Sequence, residues 1–337
     1  MRIFLFISLF ITLAACGIVG LVSYQAAYSH GSVREERSFS VLPGERVLAL
    51  GERLETEGLI VSRYAFAWEI VKEKKTASLI AGEYLLSGTE TIQEIVHKLT
   101  SGETVSRDIK VTFPEGWTID MMAERLTKNG LPGDAFRTMA RKPDPNLRQE
   151  YAFLSGLPAG ATLEGYLFPD TYRFAPDATA DTIIQAMLGN FGKRVNTELR
   201  EAARAKGKSL FEIVTLASIV EEEGRSDRDR GMISDIFWKR LAIGQPLQSD
   251  ATVNYVLGTY KDQPTLADLE SDSPYNTYKH AGLPPGPISN PGLVSLRAAI
   301  FPIDNPYYYF LNNIETRETV FSKTFEEHVA NRAAHGL

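Results

Sequence analysis

The chain has 337 residues, of which 44% are hydrophobic and 10% aromatic, enough for one large domain or two smaller ones with apolar cores. The formal net charge is −6 and no basic stripe is present, which argues against nucleic acid as a partner. A single cysteine, Cys16, excludes an intrachain disulfide, and the five scattered histidines lack ligand spacing, so we predict neither a metal site nor a cofactor.

Residues 3–24 form an apolar run without a charged side chain. The run is long enough to cross a bilayer, which requires about 20 apolar residues. We therefore predict a single-pass anchor over residues 1–25 in the cytoplasmic (inner) membrane, with the rest of the chain in the periplasm or otherwise outside the membrane. A lipoprotein is the alternative, because residues 13–16 read Leu-Ala-Ala-Cys and would place a lipid on Cys16. The apolar run that continues after Cys16 favours the uncleaved anchor.

A polar linker over residues 26–38 is predicted to follow the anchor. Beyond it, a strand, a glycine turn and an amphipathic helix recur in that order over residues 39–59, 82–103 and 109–131. The first two copies resemble LysM modules, small β/α folds that recognise amino-sugar polymers, although many α+β proteins share this order. We expect an α+β protein with a LysM-like region over residues 39–106 and a larger mixed α+β domain over residues 107–337.

A buried helix is predicted to end in three consecutive acids, Glu221, Glu222 and Glu223. At 100° per residue, apolar side chains cover most of its surface, and the remaining polar strip holds Thr215, Ser218 and Glu222. We expect Glu222 at a solvent or cleft edge, and Glu221 and Glu223 in apolar surroundings on opposite sides. Burial raises the pKa of a carboxyl group, and a general acid for glycoside cleavage requires such a raised pKa. Alternatively, the acids pair with arginines just after the helix: Arg225, Arg228 or Arg230.

Aromatic and amide side chains cluster in three other segments. Rings stack on the faces of sugars, and amides bond hydroxyl and acetamido groups, so these residues are candidates for sugar binding; packing loops are the alternative. The candidates are Glu164, Tyr166, Gln248, Asp250, Asn254, Tyr275, Asn276 and Tyr278. Ser249 or Asp250 is predicted to cap a short helix, and Asn290 with Pro291 to open another. We expect Glu164 and Asp170 to order a cleft wall rather than to react.

Five segments, in this order along the chain, resemble the YceG-like (MltG) endolytic murein transglycosylases of bacteria. The resemblance covers nearly the whole chain, including the anchor. The segments are EGYLFPDTY at 164–172, LASIVEEEG at 216–224, RLAIGQPLQSDATVNYVLG at 240–258, SPYNTYKHAGLPPGPISNPG at 273–292 and YYYFL at 307–311.

The resemblance implies that residues 107–337 are a catalytic domain and that Glu223, the second glutamate of a Glu-x-Glu pair, is the general acid and base. The helical pattern slightly favours Glu221 as the more inward acid, and we assign Glu221 a supporting role. Such enzymes cut nascent peptidoglycan between N-acetylmuramic acid and N-acetylglucosamine, leave 1,6-anhydro ends and terminate strand elongation. The implied partners are glycan strands, the inner membrane and wall synthases such as penicillin-binding proteins.

Two other functions fit the same residues. A muramidase would use Asp250 or Glu164 as a second carboxylate and would leave reducing ends. A non-catalytic, membrane-anchored scaffold would bind peptidoglycan through its LysM-like modules, with structural acids. A metal-dependent amidase is disfavoured by the histidine spacing.

Overall fold

The computed structural model describes residues 2–28, 30–72, 79–104, 108–259, 261, 264–313, 316 and 318–335. The chain forms two compact units, Met1–Arg107 and Asp108–Leu337. The boundary predicted between residues 106 and 107 lies one residue before this division. Each unit contains helices and strands, which confirms the mixed α+β class.

Among its described residues, the first unit combines one antiparallel strand pair with four helices. Its elements are α1 (Arg2–Tyr28), β1 (Arg37–Val41), α2 (Val47–Thr56), α3 (Arg63–Lys72), β2 (Gly82–Leu86) and α4 (Ile92–Ser101). Phe39 of β1 lies opposite Tyr84 of β2, and both side chains are buried in a core with Leu50, Phe66 and Ile95. The first two predicted strand–turn–helix copies are therefore present, with α3 inserted between them.

The helix α1 contains one stretch, Ile11–Tyr28, that is long and apolar enough to cross a membrane. The side chains of residues 11–21 are exposed, whereas Ala26 is fully buried in the core of the first unit. The predicted linker, residues 26–38, overlaps regular structure at both ends, because α1 continues to Tyr28 and β1 begins at Arg37.

Over the part that the structure describes, the second unit is mainly helical and has two antiparallel strand pairs, β3 with β4 and β5 with β6. The third predicted strand–turn–helix copy lies here as β3 and α5. Its elements are β3 (Ile109–Thr112), α5 (Ile119–Lys128), α6 (Gly133–Arg141), α7 (Leu147–Glu150), a 3₁₀ turn (Ala152–Leu154), β4 (Thr171–Phe174), α8 (Ala180–Arg194), α9 (Thr197–Ala205), α10 (Leu210–Glu223), α11 (Asp227–Ala242), α12 (Asp250–Leu257), α13 (Leu266–Leu269), α14 (Leu293–Ile300), β5 (Tyr309–Asn312), β6 (Thr319–Ser322) and α15 (Phe325–Ala334).

The helix α10 runs through the core of this unit. Ser209 and Glu212 start it with a reciprocal capping box, in which each side chain accepts the other residue's backbone N–H. Every side chain from Ile213 to Val220 is buried, and α10 packs against α9, α11, α12 and α14. Because neighbouring elements cover the middle of the helix on all sides, its side chains reach a surface only in the first and last turns, and the last turn carries the three glutamates.

Gly165 lies directly against α10 and provides a test of this packing. Its φ is +86°, and a Cβ there would lie 2.5 Å from Val214 and 2.7 Å from Pro287. We expect Gly165→Ala to lower the free energy of unfolding by about 3 kcal/mol, combining left-handed strain of ~1–2 kcal/mol with overpacking of ~1–3 kcal/mol. Denaturant titration would measure the loss.

Gly160→Ala is the matched control for that substitution. Its φ is +77°, but a Cβ there would meet nothing within 4 Å. We therefore expect only the backbone strain, about 1 kcal/mol. Equal losses at the two positions would contradict the close contact between Gly165 and α10.

Candidate active site

A cleft of about 1690 Å³ reaches the last turn of α10. Its lining includes residues of α5, α12, the segment before α14, β5 and α15. Seven of the predicted site residues line it: Glu164, Glu223, Gln248, Asp250, Asn254, Tyr275 and Tyr278. The other three, Glu221, Tyr166 and Asn276, lie outside its lining.

Glu223 meets the N-terminus of α12 within this cleft. Ser249 donates its hydroxyl to Oε1 of Glu223 at 2.5 Å, and the backbone N–H of Ala251 donates to the same carboxylate. Ser249 stands at the cap position of α12 but makes no capping bond with its side chain. The Glu223 carboxylate instead satisfies a free N–H at this helix end. Asn312 donates to the backbone carbonyl of Glu223 at 3.0 Å and so fixes the end of α10.

The surroundings of Glu223 pull its pKa in opposite directions. Burial is the largest influence and raises the pKa of Glu223 to about 7. The bonds from Ser249 and Ala251 favour the ionised form, and the nearby charge of Arg240 does so more weakly. At neutral pH both the protonated and the ionised forms are therefore populated. A group that first gives and then takes a proton needs this balance.

Glu222 lines the same cleft. The residue is exposed, as the helical pattern predicts, but its carboxyl lies close to Gly116, where a Cβ would come within 2.7 Å of Oε1. Desolvation of this carboxyl raises the pKa of Glu222 to about 7; a hydrogen bond with Ser289 opposes the rise, and the charges of Glu221 and Glu223 add to it. The cleft therefore holds two adjacent carboxyl groups that titrate near neutrality.

Glu221 points in a different direction. Its carboxylate accepts from Arg230 Nη2 at 2.9 Å and from the backbone N–H of Gly292 at 2.9 Å, and its side chain is 6% exposed. The alternative in which the acids pair with nearby arginines therefore holds for Glu221. This carboxylate anchors the segment that leads into α14, and its supporting role in catalysis stays a prediction.

Glu164 belongs to a buried clamp at the cleft margin. It accepts from the Ile119 N–H at 3.0 Å and from the Asn290 side chain at 2.7 Å, while Asn290 Oδ1 accepts the N–H groups of Gly165 and Leu167. Burial raises the pKa of Glu164 to about 8. Asn290 does not cap α14, since the helix begins after Gly292. The expectation for Asn290 is thus corrected: its side chain joins two walls of the cleft.

The remaining polar residues of the cleft surround the start of α12. Tyr278 donates to Asp250 Oδ1 at 2.6 Å, and burial raises the pKa of Asp250. The Asn254 amide bonds the backbone of Lys261. Gln248 is exposed at φ +51°, the one positive φ outside glycine among the residues described, and such a conformation is uncommon.

Two predicted sugar contacts require correction. Tyr166 is 1% exposed, with its ring packed 5.1 Å from that of Phe191. Asn276 is fully buried, and its amide donates to the carbonyls of Leu269 and Ser271 at 2.8 Å. Both side chains are occupied by internal contacts, so they support the wall rather than face a ligand.

Comparison with known proteins places this arrangement in a family. The YceG-like family matches residues 39–334. The chain belongs to the YceG-like family. It is 36% identical over 302 residues to the endolytic murein transglycosylase of Bacillus subtilis (strain 168), covering 86% of this chain and 82% of that protein. It is 31% identical over 317 residues to the endolytic murein transglycosylase of Streptococcus pneumoniae serotype 2 (strain D39), covering 87% of this chain and 57% of that protein.

A solved structure supports the same assignment. The 2.6 Å crystal structure of a yceG-like protein from Listeria monocytogenes aligns with a TM-score of 0.61 at 35% identity, covering 88% of this chain and 98% of that one.

Sequence reasoning missed several residues of this YceG-like site. The sequence pattern marks Ser249 only as a possible helix cap and does not indicate Ser289, Arg240 or Asn312. For Ser249 the one indication is that either it or Asp250 could cap the helix α12. The partners of these side chains are distant in sequence; Ser249, for example, lies 26 positions after Glu223.

The hydroxyl of Ser249 should set the titration of Glu223. It stabilises the ionised form, so Ser249→Ala should raise the pKa of Glu223 by roughly one unit, because a hydrogen bond to a charged group contributes ~1.5 kcal/mol. NMR titration of ¹³C-labelled glutamate carboxyls would measure it. Ser289→Ala is the control and should raise the pKa of Glu222 while leaving Glu223 nearly unchanged. No movement of Glu223 in Ser249→Ala would refute this role of the hydroxyl.

Proposed function

We propose that this YceG-like protein is an endolytic lytic transglycosylase that cleaves nascent peptidoglycan strands between N-acetylmuramic acid and N-acetylglucosamine. One observation carries the proposal: the Glu223 carboxyl lies in a cleft with a pKa of about 7, between the Ser249 hydroxyl and the Ala251 N–H. The endolytic murein transglycosylases of B. subtilis and S. pneumoniae support the substrate class.

The proposed reaction uses one carboxyl group twice. Protonated Glu223 gives its proton to the oxygen that bridges muramyl C1 and the next sugar, and the bond from C1 to this oxygen breaks. The C6 hydroxyl of the same muramyl residue then forms a bond to C1 and returns its proton to the Glu223 carboxylate. The product is a 1,6-anhydro end; no water is consumed, and Glu223 regains its starting form.

The fixed donors around Glu223 suit this cycle. Ser249 and Ala251 hold the carboxylate in one orientation after the first proton leaves. Burial holds the proton near neutral pH before that step. Both influences act on the one Glu223 carboxyl group. Because the C6 hydroxyl returns a proton to this group, the cycle needs no second carboxylate.

The proposed sugar contacts are residues that line the cleft. Gln248 is exposed, and the ring of half-buried Tyr275 lies 5.2 Å from that of Tyr255, so the pair forms an aromatic wall. Tyr278 and Asp250 bond each other at the start of α12. We assign Gln248 and Tyr278 to the acetamido and hydroxyl groups beside the scissile bond, and the aromatic wall to a neighbouring sugar.

The muramidase alternative needs a second carboxyl group that is ionised while Glu223 is protonated. Glu164 is a poor candidate because its pKa of about 8 keeps it protonated at neutral pH and its oxygens already accept two donors. Asp250 is the better candidate, since it lines the cleft near Glu223. Its Oδ1 is occupied by Tyr278, however, and this contact favours a structural role.

Membrane attachment and wall contacts complete the proposal. We infer that α1 anchors the protein once in the cytoplasmic membrane, with the catalytic unit outside the cytoplasm. The first unit, with its LysM-like order of elements, would bind the glycan strand. Wall synthases such as penicillin-binding proteins would supply the strand, since a tethered cleft meets newly made glycan first.

The chemical nature of the new ends tests the proposed function. Digestion of uncrosslinked glycan strands by the purified protein should give products with 1,6-anhydro-N-acetylmuramic acid ends, 18 Da lighter than hydrolytic ends because no water is added. Mass spectrometry of the products separates the two. Reducing ends would favour the muramidase, and intact strands that remain bound would favour the scaffold.

Replacing the acid by its amide tests the assignment of Glu223. Glu223→Gln keeps the side-chain shape but removes the proton donor, so cleavage should fall by at least ~10²-fold. Circular dichroism should stay unchanged. Glu222→Gln is the control, one residue away in the same cleft, and should retain most of the activity. A larger loss in Glu222→Gln than in Glu223→Gln would reverse the assignment.

A further inference from the structure

The helix α3 in the first unit exposes apolar side chains on the face opposite its core side. Tyr64 is 62% exposed, Val71 is 60% exposed and Trp68 is half-buried. These three side chains lie within an arc of about 60° at 3.6 residues per turn. The single acid of the helix, Glu69, is fully buried and is held by Lys72 at 3.2 Å. A helix that faces water carries polar side chains on the face opposite its apolar core stripe, whereas α3 has such a stripe and exposes apolar side chains on the outer face as well.

The length of α1 places this face near the membrane. Val22 and Ala26, near the end of the apolar stretch Ile11–Tyr28, pack on the core of the first unit, so the part of α1 left to cross the bilayer lies within residues 2–21. At 1.5 Å per residue, this part of α1 measures about 30 Å, the thickness of the hydrocarbon core. No spacer therefore separates the bilayer from the first unit, and the unit begins where the hydrocarbon core ends.

Aromatic residues mark the same region. The helix α1 packs against α3. Tyr24 and Tyr28, in the last two turns of α1, are 61% and 69% exposed, with rings 5.4 Å apart. Tyrosine and tryptophan are enriched where hydrocarbon meets headgroups, because one end of the ring is apolar and the other is polar. Two helices in contact therefore expose aromatic side chains beside the end of the membrane-crossing segment.

We propose that Tyr64, Trp68 and Val71 of α3 form a docking face that inserts into the headgroup region of the bilayer that α1 crosses. The proposal rests on the anchoring inferred for α1 and goes beyond it, since an anchor alone would leave the first unit in water. The burial of apolar side chains drives the docking. We assign the bilayer as the partner of this face, because the length of α1 places the headgroup region next to the first unit. Docking would fix the orientation of the first unit on the membrane.

A fluorophore at the docking face tests the proposal. The full-length chain would carry Cys16→Ser with either Tyr64→Cys or Glu57→Cys, each labelled with the polarity-sensitive dye NBD, in phosphatidylethanolamine–phosphatidylglycerol vesicles. Residue 57 is the control, an exposed acid just after α2. We expect headgroup-level spin-labelled lipid to quench the dye at residue 64, and lipid to shield it from aqueous dithionite. The dye at residue 57 should show neither effect.

A second measurement avoids the label. Trp117→Phe with Trp238→Phe leaves Trp68 as the sole tryptophan in the chain. Lipids brominated near the headgroup should quench its emission more than lipids brominated near the bilayer centre. Adding Tyr64→Glu and Val71→Glu should remove this quenching, whereas the conservative pair Tyr64→Phe and Val71→Leu should keep it.

Carbonate extraction of the same vesicles separates docking from anchoring. If the chain resists extraction but both reporters remain in water, the docking proposal is overturned and the proposed enzyme with its anchor is unaffected. If carbonate releases the chain, the anchoring itself is refuted, and docking with it. Retention together with headgroup-level quenching at residues 64 and 68 supports the proposal.

Discussion

The burial of α10 on all sides is the constraint on which the site depends. A helix covered by neighbours along its length can present side chains to a surface only where it ends. Its last turn carries three acids in succession, and the rotation of 100° per residue sends them into three environments. Glu221 bonds Arg230 and Gly292, Glu222 faces the cleft beside Gly116, and Glu223 meets the start of α12. On a surface helix, three consecutive glutamates would form one solvated acidic patch. At the end of α10, each of them has a different environment.

The contact between Glu223 and α12 shows how the fold tunes a single carboxyl group. In the proposed cycle, desolvation alone would hold the proton too firmly for its donation to the sugar, and full solvation would leave the carboxyl group ionised at neutral pH. The Ser249 side chain does not cap its own helix; its hydroxyl donates a hydrogen bond to Glu223 instead. The backbone N–H of Ala251 is a second donor to this carboxylate. The bond from Asn312 to the backbone of Glu223 keeps the acid at this meeting point. Two helix ends, one C-terminal and one N-terminal, thus meet at this carboxyl group.

The local sequence pattern predicts much of the fold and of the site. The features that it does not predict depend on contacts between residues distant in sequence. The all-round apolar surface of α10 predicts its burial, and the exposure of Glu222 follows from the same rotation. The polar residues before and within α12 were recognised because they lack a core role. In contrast, no local pattern shows that Asn290 reaches Glu164 and residues 165–167, or that Asn276 turns its amide to Leu269 and Ser271. The same limit applies to the linker, because the burial of Ala26 depends on α3 and α4 folding around α1.

The backbone at Gln248 has an evolutionary consequence. Its left-handed conformation would be less strained in glycine, by ~1 kcal/mol, and glycine would serve equally well for the turn alone. Selection for thermostability by itself would therefore favour glycine here. With Gln248 as the proposed sugar contact, glycine here would add stability and remove that contact.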